Sequence, residues 1–354
     1  MVIKLKKIWH KVSSRHKNFA VVRIIKGVIW HFHCLKTRIY LVKYLKFKPL
    51  EKLKLDCDNL IVRKLMVAST ENLFTMNPTL GVFDNNINIF WRESNIAFTP
   101  KTDLYGNQKF IRLNNQIVNN LKSGILQRDF SVIEIKEIFH SNGIPSFEDP
   151  RFVSNGSDQL LVGTYIFEDG SIAGKSWKSK IALFNLKTRE MMAIDSPVGR
   201  KSEKNWVPID YCNDNVRLLH SHNPDIVVSV ELERKTTNIF QLQNDFPNKS
   251  SLNGGTPFLK IDGCGYLRVA RKRFPVRGFG RIHFSYFLLY DDNLNLQTIS
   301  RPFFFYKLGF EICNGLVQSG KNEITLALGV DDREIVSCRV GIHELYNWIK
   351  LNQI

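Results

Sequence analysis

The sequence predicts an all-β protein, a five-bladed β-propeller that follows a basic helical segment. Short runs of alternating apolar and polar residues continue from about residue 56 to the end of the chain. Asn, Asp and Gly separate these runs, as expected for tight turns between antiparallel strands. Short polar motifs recur at intervals of roughly fifty residues, which is the length of a four-stranded blade. About five such units fit into the chain.

The first fifty residues differ in charge from the rest. They contain thirteen Lys or Arg and no acidic residue, and they account for most of the net charge of +17. Apolar residues recur at helical spacing over residues 18–46, with Lys and Arg filling much of the rest. A basic amphipathic helix of this kind is typical of a membrane-surface element. A helix that packs on the main domain, with its basic face in water, fits equally well.

These patterns divide the chain into a helical extension at residues 1–55 and a propeller at residues 56–354. The hydrophobic content of 44% is sufficient for a full core. Six scattered cysteines without a CxxC motif favour free thiols. The longest uncharged run in the N-terminal segment, residues 27–35, is too short to span a bilayer. We therefore predict a cytoplasmic protein, peripheral at the inner face of the membrane if the helix binds lipid. The basic charge lacks a recognised nucleic-acid-binding motif, so we expect no nucleic-acid partner.

The strand predictions are clearest where alternation and turn residues agree. The predicted strands include 87–91, 159–165, 180–184, 225–230, 284–290 and 323–328. Turn signals include Asp84-Asn85-Asn86 and Asp291-Asp292-Asn293. Only two helices are predicted after residue 56, at 115–124 and 343–350. Trp91 and Trp206 are expected to fill blade cores rather than to stack on a ligand.

Five motifs carry functional information, in this order along the chain. They are Asn77-Pro78-Thr79 with Trp91-Arg92-Glu93-Ser94-Asn95, Glu148-Asp149-Pro150-Arg151, Lys204-Asn205-Trp206, Gly254-Gly255-Thr256-Pro257, and Glu311 with Gly329-Val330-Asp331-Asp332. The ordered set resembles the five-bladed propellers of glycoside hydrolase family 130, the β-mannoside phosphorylases and hydrolases. It also resembles the β-1,2-mannosyltransferases and phosphorylases of glycosyltransferase family 108. The resemblance covers roughly residues 75–340.

The resemblance implies a mannoside-active enzyme that transfers a glycosyl group with inversion, and Asp149 as its acid/base, acting through a sugar hydroxyl. We expect Pro150 to restrict Asp149 to an extended backbone. Lys204, Asn205 and Arg92, with His283, are candidates for a phosphate site. The complete set of expected substrate-binding residues is Arg92, Asn95, Glu148, Arg151, Lys204, Asn205, His283, Glu311 and Asp332. No metal site and no cofactor are predicted.

The sequence also departs from the resemblance. The family's Tyr-His-Gly is replaced by a strand that reads Leu267-Arg268-Val269-Ala270-Arg271-Lys272, and its Tyr-Gly-x-x-Asp begins at Leu328. These changes leave the donor and the acceptor open. We favour a glycosyltransferase of polysaccharide or glycolipid assembly, with a carbohydrate acceptor and a nucleotide sugar or sugar phosphate as partners. A β-mannoside phosphorylase and a non-catalytic propeller that binds glycans or proteins are the alternatives.

Overall fold

A computed structural model describes residues 19–45, 53–67, 69–102, 108–113, 117–142, 145–169, 176–222, 225–242, 252–276 and 280–354. Five four-stranded antiparallel sheets form the five blades of a propeller. Blade 1 consists of β2 (Phe74–Phe83), β3 (Asn86–Ser94), β6 (Val118–Leu126) and β7 (Val132–Asn142). Blade 2 consists of β8 (Ser146–Ser154), β9 (Gln159–Asp169), β10 (Ser176–Asn185) and β11 (Met191–Ile194). Blade 3 consists of β12 (Val207–Cys212), β13 (Asn215–His222), β14 (Asp225–Glu231) and β15 (Thr236–Leu242).

The last two blades close the ring. Blade 4 consists of β16 (Leu259–Ile261), β17 (Gly265–Val276), β18 (Gly280–Tyr290) and β19 (Leu296–Ile299). Blade 5 consists of β20 (Glu311–Gly320), β21 (Glu323–Val330), β22 (Glu334–Gly341) and the N-terminal strand β1 (Ile61–Lys64). Because β1 pairs with β22, the start of the propeller is hydrogen-bonded to its end. A hairpin of β4 (Ile96–Thr102) and β5 (Gln108–Arg112) is inserted in blade 1.

The predicted fold class is confirmed, including the N-terminal helix. Helix α1 (Phe19–Leu45) contacts β17, and helix α2 (Ile342–Leu351) buries Leu345, Trp348 and Ile349 against the core. Neither of these two helices combines the length and apolar character needed to cross a membrane. The six cysteines all lie in described segments and are free thiols.

One helix prediction is wrong. Residues 115 and 116 of the predicted helix 115–124 lie outside the described residues, and residues 118–124 belong to strand β6, which lies between β3 and β7 in blade 1. This segment contains Asn119, Asn120 and Gly124, which are poor helix formers. Cross-strand pairing on both sides therefore determines the structure.

The inner ends of the blades share an unusual backbone conformation. Asn77, Asp149, Asn205 and Gly254 have positive φ angles of 50°, 52°, 64° and 47°. Each lies in one of the polar motifs of blades 1 to 4. Asn and Asp tolerate this left-handed region better than other residues with a side chain. The motifs thus mark bends of the backbone, which lie within β2 and β8 and ahead of β12 and β16.

Candidate functional site

Asp149 lies in a bulge of β8. The pairing of β8 with β9 changes register between Glu148 and Arg151. The φ of Asp149 is 52°, so the expectation of an extended backbone before Pro150 is wrong. The bulge offsets the preference that proline imposes on the residue before it, because neighbouring groups hold Asp149 in place. Strained residues held by their surroundings are often found at functional sites.

The Asp149 carboxylate meets groups from blade 1. Its Oδ1 accepts a hydrogen bond of 2.7 Å from the Asn77 side-chain amide. The guanidinium of Arg92 lies 3.2 Å from a Glu148 oxygen and 3.9 Å from Asp149 Oδ1. Arg92 is buried, whereas Glu148 and Asp149 each expose 22% of their side chains. Both carboxylates are therefore within reach of a ligand at the centre of the ring.

Arg151 holds the backbone around Asp149 in place through three hydrogen bonds. It is 1% exposed, and its guanidinium donates to the carbonyl oxygens of Gly255 (2.7 Å) and Asp149 (3.0 Å). It also donates to Asn314 Oδ1 at 3.2 Å. One side chain thus joins blades 2, 4 and 5. Gly255, at φ 102°, cannot be replaced without strain, because a Cβ would lie 1.8 Å from the Val269 carbonyl oxygen.

Four cations control the charge of Asp149. Burial alone would raise the pKa of its carboxyl group. Arg92, Arg271, Arg151 and Lys204 outweigh that effect, so the pKa lies below the ordinary value of 3.8. Burial would lower the pKa of Arg92, but the negative charges of Glu148, Asp149 and Asp332 outweigh that effect and raise it. Asp149 is consequently a carboxylate at neutral pH.

Arg271 and Asn77 both act on Asp149, and neither was among the binding residues predicted from the sequence. Arg271 lies on β17 within the segment that departs from the family pattern, and it donates to Asn205 Oδ1 at 3.0 Å. Its Nη1 is buried and has no hydrogen-bond partner among the described residues. Burial lowers the pKa of Arg271, while Asp149 and Asp332 oppose this. The departure of this strand from the Tyr-His-Gly pattern of the resembled proteins was a signal of a local difference, but it did not identify Arg271.

Asp332 lies in the hairpin turn between β21 and β22, with a φ of 52°. It is 3% exposed, and its Oδ2 accepts a hydrogen bond of 3.1 Å from the Phe98 backbone N–H. Burial raises its pKa to about 6, although Arg92 opposes this effect. The negative charges of Asp149 and Glu148 contribute to the rise. Asp332, which the sequence predicted as a substrate-binding residue, therefore lies in a hairpin turn and belongs to the charged cluster.

The structure brings together Arg92, Glu148, Asp149, Arg151, Lys204, Asn205 and Asp332. The other three predicted binding residues have contacts of a different kind. Asn95 Oδ1 accepts from the Val118 N–H at the base of the inserted hairpin. Glu311 accepts from the backbone N–H groups of residues 305, 306 and 307 at 2.6–2.8 Å. These bonds fit a structural role for both side chains.

His283 is 5% exposed and lies beside Phe310, with a ring separation of 4.3 Å. Its Nδ1 is 3.2 Å from the Glu311 carbonyl oxygen. These contacts describe a histidine in the wall of a pocket or in the core. A direct role in phosphate binding stays a prediction.

Three solved structures with a similar fold are named for reactions of mannose or mannosides. The β-1,2-mannobiose phosphorylase of Listeria innocua matches with a TM-score of 0.56 and 13% identity, over 83% of this chain and 100% of that one. MPT-1, a GDP-Man-dependent mannosyltransferase of Leishmania mexicana, matches with a TM-score of 0.53 and 11% identity, over 84% and 92%. MPT-4, a mannose phosphorylase of the same organism, matches with a TM-score of 0.52 and 12% identity, over 92% and 96%.

No protein-family model matches the chain, and no curated protein matches it significantly in sequence. The similarity to the solved structures confirms, at the level of the fold, the resemblance that the ordered motifs indicated. The class of protein defined here is a five-bladed propeller with a charged cluster at its centre.

Proposed function

We propose that the protein is an inverting glycosyltransferase that moves a mannosyl group from a nucleotide sugar to a carbohydrate acceptor. The ionised state of Asp149 carries this proposal. Transfer from a nucleotide sugar requires a base for the proton of the attacking hydroxyl group. Cleavage of a glycosidic bond instead requires an acid that protonates the departing oxygen. A carboxyl group that stays ionised at neutral pH is in the protonation state that the first task needs.

The proposed reaction is a single displacement. The acceptor oxygen forms a bond to the anomeric carbon while the bond from that carbon to the donor phosphate oxygen breaks. The acceptor proton passes to Asp149, directly or through a sugar hydroxyl. The negative charge on the departing diphosphate is stabilised by Arg271 and Lys204, whose positive charges already act on Asp149.

The neighbouring carboxylates are proposed to hold the sugar. Glu148 and Asp332 can accept hydrogen bonds from adjacent hydroxyl groups, and Arg92 links their charges. Arg151 has its guanidinium engaged by protein oxygens, so its proposed role is to position Asp149 rather than to contact substrate.

A β-mannoside phosphorylase is the second candidate. The same cations are able to bind inorganic phosphate, and phosphorylases occur among the solved structures with this fold. Bound phosphate would screen these cations and raise the pKa of Asp149, which would bring it closer to that of a general acid. The ligand, rather than the free site, would then set the direction of the reaction.

The N-terminal segment suggests a membrane-bound acceptor. Val28, Leu35 and Ile39 of α1 are 56%, 55% and 61% exposed, in a segment rich in Lys and Arg. We propose that this helix binds an anionic membrane surface that carries a lipid-linked acceptor. Sedimentation with liposomes tests this proposal: anionic liposomes should retain the wild-type protein, and exchange of these three residues for Ser should release it. Equal retention of both proteins would contradict it.

The choice between transferase and phosphorylase is tested with substrates. Purified protein is incubated with nucleotide sugars and mannosyl acceptors, or with mannosides and inorganic phosphate, and products are identified by mass spectrometry. We expect a new mannoside and a nucleoside diphosphate from the first mixture. Mannose 1-phosphate from the second mixture alone would establish the phosphorylase instead. No product from either mixture would favour a non-catalytic binding protein.

A further inference from the structure

Glu203 is a buried carboxylate that has no part in the reaction proposed above. It is 3% exposed and lies in the loop between β11 and β12. The next two residues, Lys204 and Asn205, belong to the central charged cluster. Burial of a charged group is costly unless hydrogen bonds compensate for the lost water, so the partners of Glu203 indicate its role.

Three side chains surround the Glu203 carboxylate. Ser196 Oγ donates to one oxygen at 2.5 Å, and Trp206 Nε1 donates to the other at 3.1 Å. The buried His220 places its Nε2 3.3 Å from the first oxygen. The backbone N–H of Glu203 donates to the Ser179 carbonyl oxygen at 2.9 Å. Glu203 therefore joins its loop to β10 of blade 2 and to β13 of blade 3.

His220 reaches Glu203 from an irregular point of its strand. The pairing of β13 with β14 changes register between Leu219 and Ser221, and bulges of this kind re-aim side chains. The His220 ring also packs edge-on against Trp206, with centroids 5.0 Å apart. The strand geometry thus fixes the donors, and the donors fix the carboxylate.

Only Lys204 and Asn205 lie between Glu203 and Trp206, which is 1% exposed. Lys204 is exposed, and Asn205 is half-buried with a φ of 64°. Asn205 Oδ1 accepts a hydrogen bond of 3.0 Å from Arg271. Because both ends of this two-residue segment are buried and hydrogen-bonded, its unusual backbone conformation and the bond to Arg271 are maintained.

Asn205 also lies near the arginine that holds the backbone of Asp149. A Cβ built on Gly254 would lie 3.3 Å from Asn205 Oδ1 and 3.0 Å from Arg151 Nη2, so the two side chains approach each other at this glycine. Arg151 in turn donates to the Asp149 carbonyl oxygen at 3.0 Å. The segment that Glu203 anchors therefore packs directly against the centre of the site.

We propose that Glu203 is a positioning residue for the phosphate of the substrate. Its hydrogen bonds hold Lys204 and Asn205, and through Asn205 the guanidinium of Arg271, in the arrangement that binds phosphate. The proposal rests on the function proposed above in taking the substrate to carry phosphate, and it applies to the transferase and to the phosphorylase alike. The negative charge of Glu203 by itself opposes an anion, so its contribution is geometric.

Calorimetric titration with orthophosphate tests the proposal. Glu203→Gln keeps the shape of the side chain but turns an amide NH₂ towards groups that are themselves donors. The loop should shift, and phosphate binding should weaken about tenfold. A purely electrostatic effect has the opposite sign, because removal of a negative charge favours an anion. Unchanged or tighter binding would therefore overturn the proposal.

A double-mutant cycle separates positioning from a general loss of stability. Asn205→Gly tolerates the positive φ and removes the bond to Arg271, so it should also weaken phosphate binding about tenfold. Combined with Asn205→Gly, Glu203→Gln should cause little further loss, because both changes remove the same contact. Fully additive losses would show that Glu203 does not act through Asn205.

Two further variants complete the test. Ser196→Ala removes one donor and keeps the carboxylate, so it should fold even if Glu203→Gln does not, and it should weaken phosphate binding about threefold. Glu323→Gln is the matched control. Glu323 also accepts from a serine, Ser319 (3.0 Å), and pairs with a basic side chain, Arg339 (3.4 Å), but it lies at the end of β21 away from Asp332. Its phosphate affinity should equal that of the wild type.

Failure of this inference differs from failure of the proposed function. If the wild type binds phosphate and Glu203→Gln and Ser196→Ala bind it equally well, Glu203 does not position the site and the proposed function stands. If the wild type binds neither orthophosphate nor GDP, the phosphate site itself is wrong, and the role of Glu203 falls with it.

Discussion

Two carboxyl groups of the same central cluster, Asp149 in blade 2 and Asp332 in blade 5, have opposite electrostatic properties. Asp149 exposes 22% of its side chain and is surrounded by four cations, which lower its pKa. Asp332 is 3% exposed, receives one backbone N–H, and has its pKa raised to about 6. Both have positive φ angles, of 52°. The chain conformation is thus shared, and the neighbouring side chains determine the difference in charge.

This difference in pKa indicates that the two carboxyl groups have different roles. Titratable groups whose pKa values are driven apart usually take different roles in proton transfer and binding. Asp149 is ionised at neutral pH, whereas Asp332 retains its proton to a higher pH than Asp149 does. We infer that Asp149 handles the proton of the acceptor and that Asp332 orients the sugar.

The largest expected effect is the loss of activity on replacement of Asp149. Asp149→Asn should lower kcat by about 10²–10⁴-fold, the usual contribution of a general acid or base. Asn tolerates the positive φ, so the bulge should be retained. The initial rate of mannosyl transfer is the measurement, with circular dichroism as a check of folding.

Asp292→Asn is the control for this replacement, because Asp292 lies on the surface beside Lys260. Its activity should match that of the wild type. If Asp149→Asn were as active as this control, Asp149 would not be the proton acceptor.

Asp332→Asn should make the protein more stable at neutral pH. A carboxyl group with a folded-state pKa of about 6, above its ordinary 3.8, favours folding below pH 3.8 and loses that contribution as the pH rises through 6. Asn does not ionise and avoids this loss. The free energy of unfolding in urea should therefore rise by about 2–3 kcal/mol at pH 7.5 and change little at pH 4. An equal change at both pH values would show that ionisation is not the cause.

Arg271→Gln should lower activity less than Asp149→Asn does. It should also move the pKa of Asp149 upwards, towards that of Asp332. Loss of one of the cations that lower the pKa of Asp149 raises that pKa, so the acidic limb of the kcat/KM profile should move to higher pH. Affinity for the donor should fall about tenfold.

Arg273→Gln removes the same charge from an exposed position two residues further along β17. It should leave the acidic limb of the pH profile in place. An identical shift in both variants would mean that net charge, rather than the position of Arg271, controls Asp149.

The sequence predicted much of the fold because local signals agreed with it. Residues 87–91 alternate and follow Asp84 and Asn85, which have the positive φ values that a tight hairpin requires. Residues 323–328 are almost wholly buried in β21, as their apolar run predicted. The strand at 118–126 was missed because its pairing is not visible in its own residues. One partner, β3, is separated from it by the inserted hairpin, and the other, β7, follows it.

The site was only partly predictable for a similar reason. Asp149 and Arg92 stood in recognisable motifs, but their effect on one another depends on a 3.9 Å approach across two blades. Asn77 belonged to a motif, yet its bond to Asp149 follows from two backbone bends that no local rule predicts. Arg271 had no motif at all. Its role in the cluster is visible only from its position on β17, where it donates a hydrogen bond to Asn205.

The most direct test of the account is the pKa of Asp149 with and without bound anion. Carbon-13 NMR of protein labelled at the aspartate carboxyl groups, assigned by comparison with Asp149→Asn, gives this value. We predict that the pKa of Asp149 lies below 3.8 in the free protein. It should increase clearly when GDP binds to the surrounding cationic side chains. A pKa at or above 3.8 in the free protein, or one that GDP does not alter, would contradict the central role assigned to the cluster.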